Sequence, residues 1–217
     1  MDFTPWDILR NLLLAARWTV LLSLAAFLGG GIVGLAILIA RIAKRRWIAQ
    51  AGSAYIALFQ GTPLLLQLFL VFFGLPLLGF RIEPWTAAVV GLTLCASAFL
   101  AEIWRGGVEA ITQGQWDAAA SLGLRYTAQL RLVILPQAFA FTRAPTVGFL
   151  VQLVKSTALT SIIGFGELLR TANAINNATF APFTVYGFVA LIFFAICFPL
   201  TRYARALELS EASAKSL

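Results

Sequence analysis

WTVLLSLAAFLGGGIVGLAILIA, residues 18–40, runs from Trp18 to Ala40 without a charge, between Arg17 and Arg41. A helix of this length rises far enough to cross a hydrocarbon core of about 30 Å, so the stretch reads as a membrane span. The surrounding composition supports that reading. Of 217 residues, 60% are hydrophobic and 12% charged, too little polar surface to cover a soluble globule of this size. Gly30 and Gly34 are four residues apart, a small-xxx-small spacing that lets helices approach closely in lipid. A helix merely softened by glycine fits the same letters.

The rest of the chain alternates in the same way. Arg41, Lys44, Arg45 and Arg46 precede 34 uncharged residues, Trp47 to Phe80, which hold a second span at about 54–75 and an outer turn at Gly74, Pro76 and Gly79. A third span at about 85–103 has Trp85 and Trp104 at its ends, where indoles favour the interface. Residues 105–135 form a polar loop. A fourth span covers about 136–154, an external segment with a short helix follows, and a fifth span covers 183–201.

The expectation is one all-α integral membrane domain over 1–217, with five transmembrane helices, the N-terminus outside and the C-terminus cytoplasmic. That orientation puts eleven Lys and Arg residues on the cytoplasmic side against five elsewhere. It also accounts for the net charge of +7 without a nucleic-acid partner, because the basic residues flank apolar runs instead of gathering on a solvated face. Met1 to Asp7 carries acids where a secretory signal has positive charge, so the first span is expected to be retained. The absence of histidine excludes most zinc sites and imidazole relays, and Cys95 and Cys197 sit in apolar stretches as small hydrophobes.

Within the polar loop, Thr112 and Gln115 have capping-box spacing, Asp117 adds negative charge near the positive helix end, and Gly123 suits a left-handed cap. A short helix therefore stands between the third and fourth spans. Ala118, Ala119 and Ala120 at its centre leave room for a close neighbour. A short amphipathic helix lying on the membrane surface is the bland alternative.

A wider pattern decides between them. Asp117-Ala118-Ala119, Gly123 six residues after Asp117, then Val133, Leu135 and Pro136 resemble the EAA loop of ABC importer permeases, with Asp for Glu and Val for Ile. Gly61-Thr62-Pro63-Leu64-Leu65-Leu66-Gln67, Ala101-Glu102-Ile103-Trp104-Arg105-Gly106-Gly107 and Leu132-Val133-Ile134-Leu135-Pro136-Gln137 are similar to the polar amino acid branch of that family, which takes up histidine, glutamate, glutamine, arginine or opines. The resemblance implies a permease in the bacterial inner membrane with a second permease subunit, a cytoplasmic ABC ATPase dimer and an extracytoplasmic solute-binding protein. It assigns ATPase coupling to Asp117, Ala118, Ala119 and Gly123. The chain itself is expected to be no enzyme and to hold no cofactor or metal, with ATP and Mg bound by the ATPase subunits. Its nearest approach to a phosphate loop, Lys155-Ser156-Thr157, has Val154 and Phe149 where glycines belong.

A polar solute needs fixed polar partners inside the membrane. Candidates for the pathway are Thr62 and Gln67 on the second span, and Gln152, Lys155, Ser156 and Thr157 at the end of the fourth. Relatives often carry Asp or Asn where Ser156 stands, which removes a partner for a cation. Lys155 also fits a snorkelling interfacial lysine. Glu102 is the single acid inside a span and is expected to pair with Arg105 three residues on. An ion-coupled secondary transporter or channel is the alternative function, and it calls for more such acids than Glu102 alone.

Overall fold

A computed structural model describes residues 4–43 and 45–215, so Met1 to Phe3 and the Lys44 of the basic cluster lie outside the described residues. Thr4 starts the first helix, α1 (Pro5–Arg41), with a reciprocal capping box to Asp7. At about 1.5 Å per residue this helix is far longer than the span it contains. It packs along α4 (Pro84–Glu109) with almost no gap. A Cβ placed on Gly30 would stand 2.6 Å from the Ala96 Cβ, and one on Gly34 would stand 3.0 Å from the Ser97 carbonyl oxygen. The close-approach reading of that glycine pair is the one the fold adopts.

The second predicted span is not one straight helix. It divides into α2 (Arg46–Gly61) and α3 (Leu64–Leu77), bent by 102° at Thr62-Pro63. Pro63 has no N–H to continue the helix, and it holds Thr62 in an extended conformation at φ −114°, ψ 141°. The Gln67 side chain repairs the break. Its Nε2 donates to the Phe59 carbonyl at 2.8 Å, the acceptor that a residue-63 N–H would otherwise serve, and to the Thr62 carbonyl at 3.0 Å. A π-helical turn, Leu70–Gly74, follows within α3.

After α4 come the short α5 (Gln113–Ser121) and α6 (Tyr126–Gln129), a π-helical turn at Leu130–Ile134, and α7 (Leu135–Ser156). A 3-10 turn, Thr157–Ser161, leads to α8 (Leu168–Thr179), and α9 (Pro182–Lys215) ends the described chain. Among the described residues, three helices are long and apolar enough to cross a membrane, within α1, α4 and α9, or four if the bent α2–α3 pair is one span. The helix at the predicted fourth span is not among them. Gln137, Thr142, Arg143 and Gln152 make α7 more polar than the others.

The core has two main parts joined through α1. Leu22 and Ala26 of α1 pack with Leu68 of α3, Leu92, Ala96 and Leu100 of α4, and Phe149 and Leu153 of α7. Ile8 and Leu12 pack with Leu168 and Ile175 of α8 and Val185 and Val189 of α9. The outer faces stay apolar, with Leu28, Ile32, Leu70, Phe73, Leu191 and Phe194 all exposed. Contiguous apolar surface on this scale fits lipid, not water.

Of the two tryptophans expected at interfaces, Trp104 departs from that expectation. Trp104 is buried and its Nε1 donates to the Thr146 hydroxyl at 3.0 Å, and Gly31 leaves room between helices for this large ring with a satisfied N–H. Trp85 meets Trp18 and Phe165 edge-on or tilted, at centroid distances of 6.0 and 5.2 Å.

Candidate coupling helix and solute cavity

Helix α5 stands where the sequence places a short helix, but its start differs in detail. Thr112 occupies the N-cap at ψ 148°, yet its hydroxyl makes no capping bond. Gln115 instead accepts from Gln137 Nε2 on α7 at 3.3 Å, which removes the reciprocal half of the box. The far end follows the expectation. Gly123 has φ +74°, its N–H donates to Ala120 O at 2.9 Å, and the Leu124 N–H donates to Ala119 O at 3.4 Å. This is a Schellman close, and it needs a residue that tolerates the left-handed region.

The helix has two distinct faces. Asp117, Ala118 and Ala120 are exposed, whereas Ala119 is buried and Trp116 half-buried. Trp116 stacks on Tyr126 at 6.0 Å with the planes 18° apart, and the Tyr126 hydroxyl donates to Ile42 O at 3.1 Å, just beyond α1. Val133 and Leu135 of the motif join Trp116 and Ile42 around Val108, Ile111, Ile134 and Ala138. The later motif residues thus hold the helix on the ends of α1, α4 and α7 and leave one face open. Gln113 Nε2 donates to Asp117 at 3.0 Å, and the Ser121 hydroxyl donates to Asp117 O at 2.9 Å.

A cavity of about 180 Å³ lies between α2, α4 and α7. Thr62, Gln152 and Ser156 line it, so three of the six pathway candidates come together. The other three do not line it. Gln67 is buried and bonds the broken backbone, also donating to the Thr62 hydroxyl oxygen at 3.0 Å. Thr157 is fully buried, with its hydroxyl on Val154 O at 2.7 Å. Lys155 is exposed.

Phe59, Gln60, Cys95, Phe99 and Phe149 also line it, together with Leu64, Leu153 and Leu159, and the sequence alone does not mark them as site residues. Gln60 stands directly before the Gly61-Thr62-Pro63 break, which is the one local signal that marks it. The three phenylalanines and Cys95 meet there only through tertiary packing. Glu102 is held by Arg105 in a two-point ion pair, at 2.5 and 2.9 Å, and Arg105 also bonds Glu109. This is the pairing expected from the sequence.

Glu167 is a fully buried acid. Glu167 caps α8, accepting from the N–H groups of Leu169 and Arg170 at 2.9 and 2.8 Å, while the Leu168 N–H donates to the Thr19 hydroxyl oxygen of α1 at 3.2 Å. Burial pushes its carboxyl up to about 7, against the pull of these backbone donors and Thr19.

A multi-pass helical membrane protein with a short helix in the loop between two of its long helices is the class these features define. The chain belongs to the family of binding-protein-dependent transport system inner membrane components, whose pattern it matches over residues 32–210. It is similar to the probable amino-acid ABC transporter permease YckA of Bacillus subtilis, 37% identical over 83% of this chain and 80% of that protein. The L-cystine transport system permease TcyB of Bacillus subtilis is 32% identical, over 94% and 90% of the two chains. The glutamine transport system permease GlnP of Escherichia coli is 32% identical over 94% of each. Among solved structures, an amino acid ABC transporter crystallised with histidines matches with a TM-score of 0.89 at 31% identity, covering 97% of this chain and all of that one. The MetNI methionine ABC transporter in an inward-facing form shares the fold, with a TM-score of 0.72.

Proposed function

We propose that the chain is the membrane-spanning permease subunit of an ATP-driven importer that takes up a polar amino acid or a derivative of one. It crosses the bacterial cytoplasmic membrane five times, with the bent α2–α3 pair as the second span, α7 as the fourth, the N-terminus outside and the C-terminus in the cytoplasm. The domain is single. A second permease subunit, alike or related, packs beside it, two cytoplasmic ATPase subunits bind below, and an extracytoplasmic solute-binding protein delivers the solute. ATP and Mg bind to the ATPase subunits, and this chain supplies no catalytic group or metal site.

The observation that carries the reading is the two-faced α5. Its inner face is fastened by Trp116 and Ala119, and its outer face offers Asp117, Ala118 and Ala120 with little bulk. Small side chains on an exposed helix allow close docking of a partner surface, and Gly123 turns the chain back immediately afterwards. Movement of a docked ATPase then passes through α5 into α1, α4 and α7, and α4 and α7 border the cavity. Thr62, Gln152 and Ser156 are the solute-facing groups of this subunit.

Reconstitution of the permease with its ATPase and solute-binding protein in proteoliposomes tests the reading. Uptake of a polar amino acid that requires ATP and is unaffected by collapsing ion gradients is the expected result. Uptake driven by a Na⁺ or H⁺ gradient without ATP contradicts it.

A further inference from the structure

The cavity between α2, α4 and α7 contains no charged side chain. Its polar groups are Gln60, Thr62, Gln152 and Ser156, all neutral, set among Phe59, Phe99 and Phe149. Phe99 and Phe149 stack at 5.4 Å with their planes 16° apart, which gives one wall an unbroken apolar face. Lys155 and Glu102 do not line it, and Glu102 is held by Arg105.

The hydrogen-bonding capacity that remains is also limited. The Thr62 hydroxyl donates to Leu58 O at 2.8 Å, the Ser156 hydroxyl to Gln152 O at 2.9 Å, and Gln60 Nε2 to Ala98 O at 3.3 Å. The hydroxyl protons of Thr62 and Ser156 and one Gln60 N–H are therefore engaged, the Thr62 oxygen already accepts from Gln67 Nε2, and the side-chain oxygens of Ser156 and Gln60 stay available as acceptors. The Gln152 amide has no partner among the described residues and offers both donor and acceptor.

We propose that this cavity selects amino acids with an uncharged, hydrogen-bonding side chain and discriminates against arginine, lysine, aspartate and glutamate. The proposal rests on the reading of the chain as an amino-acid permease. An α-ammonium and an α-carboxylate on one molecule compensate each other, so a zwitterion enters with no net charge. An additional side-chain charge finds no counter-charge here, and leaving it unpaired in a low-dielectric site is expensive. A side-chain amide or hydroxyl instead meets Gln152 and the free oxygens of Ser156 and Gln60, while the phenylalanines cover its methylenes.

The two cysteines make a direct test possible, because Cys95 lines the cavity and Cys197 lies outside it with Val151 and Val154. In the purified permease–ATPase complex carrying Cys197→Ser, and without solute-binding protein, alkylation of Cys95 by a small maleimide is followed in the presence of glutamine, asparagine, arginine, lysine or glutamate. The melting temperature of the same samples is measured alongside. Glutamine or asparagine should slow alkylation and raise the melting temperature at concentrations more than about tenfold lower than the charged amino acids require. Ser156→Asp, which introduces a carboxylate beside Gln152, should make arginine the better protector. The proposal is overturned if arginine or glutamate protects as well as glutamine, or if no amino acid either protects Cys95 or raises the melting temperature. Either failure leaves ATP-dependent uptake in place, whereas failure of the importer reading abolishes it for every amino acid.

Discussion

Gln67 stands in for the N–H that Pro63 lacks: its Nε2 lies 2.8 Å from the Phe59 carbonyl, in the place where an unbroken helix would put a backbone donor. The break at Thr62-Pro63 and its repair are thus one unit, and they set the positions of Gln60 and Thr62 in the cavity wall. Replacing Gln67 by Leu should leave Phe59 O buried without a donor and cost about 1–3 kcal/mol. Adding Pro63→Ala returns a backbone N–H, so the double variant should recover stability while losing uptake, since the helix then straightens. Thermal unfolding in detergent and proteoliposome uptake measure the two effects, and a Gln67→Leu variant as stable as the wild type would contradict the pairing.

The α1–α4 contact predicts a contrast between adjacent glycines. Gly30→Val should wedge the helices apart, since its Cβ alone falls 2.6 Å from the Ala96 Cβ, at a cost of about 1–3 kcal/mol. Gly31→Val should be tolerated, because the nearest atom to a Cβ there is on the Trp104 ring at 3.9 Å. Melting temperatures of the two purified variants check this directly.

Glu167, in the segment between α7 and α8, predicts a pH dependence. Its carboxyl is raised from 4.5 to about 7 by burial, so the folded protein holds this proton more tightly than the unfolded chain does. The stabilisation is complete below about pH 4.5 and is lost as the pH rises through about 7. Melting temperature should therefore fall between pH 5 and pH 8, and Glu167→Gln, which keeps an acceptor for the α8 cap, should flatten that slope. An unchanged slope in the variant would remove Glu167 from the account.

Single cysteines at Ala49, Ala178 and Glu208, in a background lacking Cys95 and Cys197, test the orientation. An impermeant maleimide applied to intact cells should label only position 178, on the loop helix α8. Labelling at 49 or 208 from outside would overturn the five-span arrangement.

Much of this organisation was legible in the sequence because it is local. The uncharged run at 18–40, the Gly30–Gly34 spacing and the Gly123 turn each depend on neighbouring residues, and all three appear in the fold as read. The motif from Asp117 to Pro136 carries its spacing in the chain itself. The break at Pro63 was visible in its letters but not in hydropathy, which does not register a missing N–H. The inward position of Trp104, the burial of Ala119 beside exposed Ala118, and the meeting of Phe59, Cys95, Phe99 and Phe149 are set by partners far along the chain. Thr112 shows the same limit, since Gln115 finds Gln137 on α7 and leaves the local capping pattern incomplete.

The exposure of Ala118 beside buried Ala119 determines which substitution tests the coupling role of α5 most directly. Ala119→Arg would disturb this chain's own packing, whereas Ala118→Arg adds bulk and charge to a face that touches nothing within the subunit. The measurement is co-purification of the Ala118→Arg permease with its ATPase, with ATP-driven uptake in proteoliposomes and the melting temperature of the isolated permease followed in parallel. The account predicts an unchanged melting temperature, weakened ATPase association and loss of most uptake. A stable variant that retains wild-type ATPase association and ATP-driven uptake would show that α5 is not the docking element.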